Sequence, residues 1–188
     1  MANENTPGGE FKIFLLDPES SHELMYDSSL SIYSEYSDEW RNYISNNTKP
    51  SELLISDLDV ETYNWKKQEL TLTSDASKRL CPDTATEAKY NQRVFFVALG
   101  KNRLYGGITL EYISHVAAKV PVISFLPTYM EKDRKMGDPR MRRTLVIQSH
   151  FAQQIPSNFD PNLVVESGNE ITRVDAIRNY FSRLNKLS

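Results

Sequence analysis

The chain has 188 residues, 39% hydrophobic and 25% charged, a balance that suits one globular domain with a sizeable core. A single cysteine, Cys81, excludes an internal disulfide, and no apolar run approaches the roughly 18 residues of a membrane helix. The formal net charge of −3 hides an asymmetry: residues 1–63 carry thirteen acids and three bases, whereas residues 64–188 carry twelve acids and nineteen bases. Such a dipolar chain either steers a charged partner or attracts its own other half.

Residues 1–9 are polar and include Pro7, Gly8 and Gly9, so they are expected to be a flexible tail before a single domain over 10–188. They have no basic start and no apolar stretch, so a signal peptide is not expected and a cytoplasmic location is. Glu10 to Leu16 is rich in β-formers and bounded by Asp17-Pro18, which predicts a strand. Over 28–44, Ile32, Tyr33, Tyr36, Trp40, Tyr43 and Ile44 follow helical spacing, and Glu35, Asp38 and Glu39 lie opposite them. An amphipathic helix with an acidic outer stripe is predicted over about 28–45.

Residues 53–73 look extended, with Leu58 and Val60 alternating with acids and Leu70 and Leu72 following after a turn at 64–67. Thr73 or Ser74 caps a short helix that ends before Pro82. Val94 to Leu99 and Arg103 to Leu110 form the clearest hairpin, with Gly106-Gly107 marking a bulge or a close backbone approach. A helix is expected within 111–120, strands at 121–126 and 144–148, and a short strand at 163–165. At the end, Thr172 is expected to cap a helix over about 173–186 that buries Ile171, Val174, Ile177, Phe181 and Leu184. Hairpin signals dominate and strands do not alternate regularly with helices, so the expected class is α+β with a mostly antiparallel sheet.

Several constellations carry possible chemistry. On a strand over 55–62, Asp57, Asp59 and Glu61 would point to one face at steps of roughly 6–7 Å. Three such carboxylates suit the solvent face of an edge strand, a basic partner, or a hard cation. Lys132, Arg134, Lys135, Arg140, Arg142 and Arg143 form a basic loop, suited to a solvated surface, a protein partner, or phosphate and nucleic-acid contact. Pro82-Asp83 with Glu87-Ala88-Lys89 has the letters of a metal nuclease pattern, but the two acids stand too close in sequence to sit on paired strands. His22, His115 and His150 lack metal-ligand spacing, Ser114 and Ser149 beside the last two diverge from them, and no phosphate-cradling glycine loop occurs.

These features favour a non-enzymatic binding factor, of the inhibitor or immunity type, engaging a basic protein partner. The expected contact residues are Glu35, Asp38, Glu39, Asp57, Asp59 and Glu61, with Trp40 and Trp65 as aromatic anchors. The alternatives are a metal-assisted hydrolase acting on a phosphate-containing substrate through Asp57, Asp59 and Glu61, and nucleic-acid contact through 132–143. No cofactor and no membrane are expected.

Overall fold

A computed structural model describes residues 10–27, 40, 42, 43, 46, 51–80, 89–110, 118–125, 143–148 and 172–188. Strand β1 spans Phe11–Leu16 and is followed by α1, Pro18–His22, and a π-helical turn, Glu23–Asp27. Asp17 caps α1 by accepting from the Ser20 amide at 2.9 Å, and Pro18 takes the first helical position, where no amide is needed. The Asp-Pro pair that closes the predicted strand therefore also opens a helix.

Strand β2, Ser51–Ser56, leads through a 3-10 turn, Asp57–Asp59, into β3, Val60–Asn64, and β4, Glu69–Leu72. Helix α2, Ser74–Arg79, is capped as expected by Thr73, whose hydroxyl accepts from the Ala76 amide at 3.3 Å. The hairpin β5, Val94–Leu99, and β6, Asn102–Thr109, turns at Gly100, whose φ of 60° favours glycine. Strands β7, Val122–Phe125, and β8, Thr144–Gln148, follow, and α3, Asp175–Arg183, ends the chain.

Among the described residues, eight strands form one sheet in the order β2-β1-β5-β6-β7-β8-β4-β3, antiparallel except at β6–β7. The fold is α+β, as expected. Its two edge strands, β2 and β3, are joined by only three residues. Eight flat strands would hold their edges about 34 Å apart. The chain from Ser56 to Val60 spans at most about 15 Å. The sheet must therefore curl until its edges meet at the Asp57–Asp59 turn.

The core agrees. One cluster takes buried side chains from all eight strands, including Phe11, Ile55, Tyr63, Leu72, Phe95, Tyr105, Ile123 and Ile147, together with Ile177, Tyr180 and Phe181 of α3. Phe181 packs its ring 5.0 Å from both Phe11 and Tyr63, bridging β1 and β3. Beyond α3, residues 186–188 return alongside β3, with Leu187 in a parallel bridge to Tyr63. A second cluster on the other face joins Val94, Phe96, Ile108 and Val122 to Leu24, Met25 and Trp40. Burial on both faces explains the unbroken apolar run of β5.

Glycine 107 marks the close approach expected at the Gly-Gly pair. A Cβ there would lie 1.9 Å from the Pro121 carbonyl oxygen, which accepts from the Ile108 amide at 2.9 Å. The irregularity in the β5–β6 register falls instead at Val97/Ala98.

Three expectations change. Residues 55–62 are not one strand, since the chain leaves the extended form at Asp57. The Ser56 amide donates to the Asp59 carboxylate at 2.8 Å, so a short polar side chain takes a bond that a ladder would otherwise use. Thr172 is fully buried and does not cap α3; Val174 holds that position, its carbonyl accepting from the Ile177 amide at 2.8 Å. Within 111–120, the described residues Ala118 to Val120 are not helical.

Other expectations fall outside the described residues: the tail 1–9, most of the helix over 28–45, the strand at 163–165, Cys81, the Pro82–Ala88 motif, His115 and His150. Within 28–45, Trp40, Asn42 and Tyr43 are described, and all are helical. His22 is exposed at the end of α1, its ring 5.0 Å from that of Tyr26. Among the described residues, no helix is long and apolar enough to cross a membrane.

Candidate functional site

The seam where the sheet edges meet gathers Asp57, Asp59, Tyr180 and Lys186. Asp57 is 1% exposed, and its Oδ2 accepts the Tyr180 hydroxyl proton at 2.6 Å. That hydroxyl also accepts from the Glu10 amide at 3.4 Å. Burial first, and the bond to Asp57 second, push the Tyr180 phenol up to about 12. Lys186 donates from Nζ to the carbonyl oxygens of Asp57 and Val60, each at 2.6 Å.

Asp59 is held just as firmly. Its Oδ1 lies 2.9 Å from Nη2 of Arg79, and its carbonyl accepts from the Thr73 amide at 2.8 Å. Glu61 is exposed on β3. The expected row of three carboxylates on one face therefore dissolves into one buried acid, one ion-paired acid and one surface acid. Among the described residues, no group of three or more His, Cys, Asp or Glu side chains is placed to hold a metal ion.

Between Asp57 and Asp59, Leu58 is 69% exposed. Both of its neighbours are tied to the body of the protein, so a large apolar side chain is displayed on a restrained backbone. Leu53 of β2 is also exposed.

The two tryptophans separate. Trp40 has no exposed surface and packs in the second core cluster, so it is a core residue and not an interface anchor. Trp65 is half-buried in the β3–β4 turn, in T-shaped contact with Tyr63 at 6.0 Å. Its neighbours are cationic. The Arg178 guanidinium lies 5.9 Å from the indole centroid, and Nη2 of Arg173 donates to the Lys66 carbonyl at 2.8 Å.

Glu35, Asp38, Glu39, Lys132, Arg134, Lys135, Arg140 and Arg142 lie outside the described residues. Arg143, the last of the basic loop, is 2% exposed. Its amide donates to the Ser77 hydroxyl at 2.9 Å, and its guanidinium lies 5.4 Å from the Phe125 ring centroid. It is a buried structural residue, not a surface phosphate contact, because it stands just before β8 and its carbonyl accepts from the Leu72 amide of β4 at 2.8 Å.

Part of the charge asymmetry is internal. Besides Asp59 with Arg79, Glu52 pairs with Lys89 at 3.7 Å and with Arg93 at 3.8 Å. Arg93 is itself buried and donates from Nε to the Leu16 carbonyl at 2.6 Å and from Nη2 to the same oxygen.

Sequence reasoning missed Tyr180, Lys186 and Glu69. Tyr180 stands three residues from Ile177 and next to Phe181, so helical spacing alone places it at the edge of the buried stripe. Glu69 is half-buried on β4, where burial raises its carboxyl above the usual range and Lys67 opposes the shift. The register sets Glu69 beside Val146 and Val146 beside Ser124, so the three share one face. On that face the Ser124 hydroxyl and the Gln148 side-chain carbonyl are buried without a hydrogen bond.

Set against models of protein families, curated proteins and solved structures, the chain has no match.

Proposed function

We propose that the protein is a non-enzymatic binding factor, of the inhibitor or immunity type, that engages a basic protein partner. The observation that carries this reading is Leu58, displayed at 69% exposure on a turn whose flanking residues are fixed by Tyr180, Lys186, Ser56 and Arg79. An apolar side chain held ready on an ordered backbone loses little conformational entropy when a partner covers it. Glu61, three residues further on, is also exposed, and Glu35, Asp38 and Glu39 are the further acidic contacts expected from the sequence. Asp57 and Asp59 act here as supports of the turn rather than as contacts.

The test is affinity capture from the native host with mass spectrometry, comparing the unmodified chain with Leu58→Ser and with a Glu35→Lys/Glu39→Lys/Glu61→Lys variant. One basic protein should be retained by the first and lost by both variants, while their thermal midpoints stay within a few degrees. Retention of the same protein by both variants would overturn the reading.

A further inference from the structure

The surroundings of Trp65 form a second surface of opposite sign. The turn after β3, with Trp65, Lys66 and Lys67, meets Arg173 just before α3 and Arg178 within it. Arg178 thus lies beside the half-buried indole and Arg173 is bonded to the turn, while Asp175 stands at the same helix end and Glu69 beside Lys67. Lys66 and Arg178 are exposed, and among the described residues neither is paired with a carboxylate.

The platform is rigid. The Lys67 amide donates to the Asn64 side chain at 3.0 Å, and the Gln68 side chain donates to the Trp65 carbonyl at 2.8 Å. Gln68 is itself buried and accepts from the Tyr63 hydroxyl at 2.8 Å. The Trp65 amide donates to the Ser188 carbonyl at 3.3 Å. An exposed lysine on an ordered turn and an exposed guanidinium beside an indole, Lys66 and Arg178 with Trp65, match a ligand that combines flat rings with spaced negative charges. An acidic peptide supplies the charges but not the rings.

We propose that this surface binds single-stranded nucleic acid, with the exposed Lys66 and Arg178 meeting phosphates and Trp65 offering a face to a base. It is independent of the partner-binding reading above and of residues 132–143.

The test uses the full chain and a fluorescently labelled twelve-residue oligothymidylate, titrated over a range of salt concentrations. Binding should quench the emission of Trp65, with buried Trp40 as an internal reference. The exposed pair Lys66→Gln/Arg178→Gln should weaken binding at least about tenfold and reduce the salt slope by roughly 1.4, at about 0.7 per lost phosphate contact. Trp65→Phe should restore most of the affinity lost in Trp65→Leu, and it keeps an aromatic ring against Tyr63 should the leucine variant fail to fold. No binding at 50 mM salt (~30 Å screening length is reached only below that), or affinity unchanged in the double variant, overturns the proposal. Displacement by polyglutamate at equal charge as effectively as by unlabelled oligothymidylate would also overturn it, in favour of an acidic protein segment.

Discussion

Tyr180 donates to Asp57 across 123 positions of sequence, joining the last helix to the turn that links the two edges of the sheet. The bond lies among other ties at the same place: Lys186 to the Asp57 and Val60 carbonyls, and the Glu10 amide to the Tyr180 hydroxyl. The curl of the sheet and the docking of α3 are therefore coupled. Neither β2 nor β3 can move away from the seam without exposing the Asp57 carboxylate or stripping its donor.

Removing the donor tests this coupling. Tyr180→Phe keeps the ring among Phe181 and its neighbours but takes one hydrogen bond from a buried carboxylate, which should cost about 1–3 kcal/mol. Urea denaturation of Tyr180→Phe, Asp57→Ala and the double variant should yield a coupling energy of at least about 0.5 kcal/mol. Strict additivity would show that the two residues do not act as a pair.

The same pair governs the alkaline limit. The Tyr180 phenol titrates near 12 in the folded protein, above its ordinary value of 10.0. A group with a raised folded pKa holds its full contribution below the unfolded value, so stability should be level up to about pH 10 and decline as the pH climbs toward 12. Burial likewise raises Tyr63, so the Tyr180 share is the difference between the unmodified chain and Tyr180→Phe. A variant with an identical alkaline decline would remove Tyr180 from the account.

Glu69 acts in the acidic range. Its carboxyl is raised by burial, so the folded state holds that proton more tightly than the unfolded chain does. Its contribution is complete below the ordinary carboxyl value and is lost as the pH rises through the folded one. Glu69→Gln should therefore raise the thermal midpoint at pH 7 and have less effect at pH 4. A lower midpoint at pH 7 would mean that the ionised carboxylate is favoured there.

Gly107 admits no side chain. Gly107→Ala would set a methyl group 1.9 Å from the Pro121 oxygen and 3.0 Å from the Phe95 ring, parting β6 from β7 at their parallel pairing. A loss of more than about 3 kcal/mol, or failure to fold, is expected. Gly100→Ala, with open space around it and φ of 60°, should cost only about 1–2 kcal/mol. Equal losses at the two sites would contradict the packing at Gly107.

Ser124 buries a hydroxyl without a hydrogen bond. Ser124→Ala removes an unsatisfied polar group at little change of volume and should stabilise the fold by about 1 kcal/mol in urea denaturation. Destabilisation would show that the hydroxyl has a partner in solution.

Local elements were legible where the decisive interactions lie close in sequence. The Thr73 cap of α2, the Gly100 turn of the β5–β6 hairpin and the alternation of Leu70 and Leu72 each depend on neighbours a few residues away. The Gly106-Gly107 pair also announced itself, although only the fold shows that the approaching backbone is that of Pro121. The Asp57–Glu61 row misled because strict alternation of acids with apolar residues is also what a connection produces when it buries one acid, pairs the next and exposes the third. Trp40 and Trp65 are alike to any composition argument, yet one lies inside the second core cluster and the other beside arginine.

Local patterns along the chain specify the α+β class, most of the strands and the capped α2, because hydrophobic period and turn chemistry are short-range. Tertiary structure alone decided that the sheet closes on itself, that Asp57 meets a tyrosine near the chain end, and that Trp65 lies among cations. The last two depend on contacts between residues more than a hundred positions apart, and the closure on ladders between strands as distant in sequence as β1 and β5 or β4 and β8. No periodicity along the chain encodes which distant surface a side chain will face, because that is fixed only when all eight strands pack together around α3.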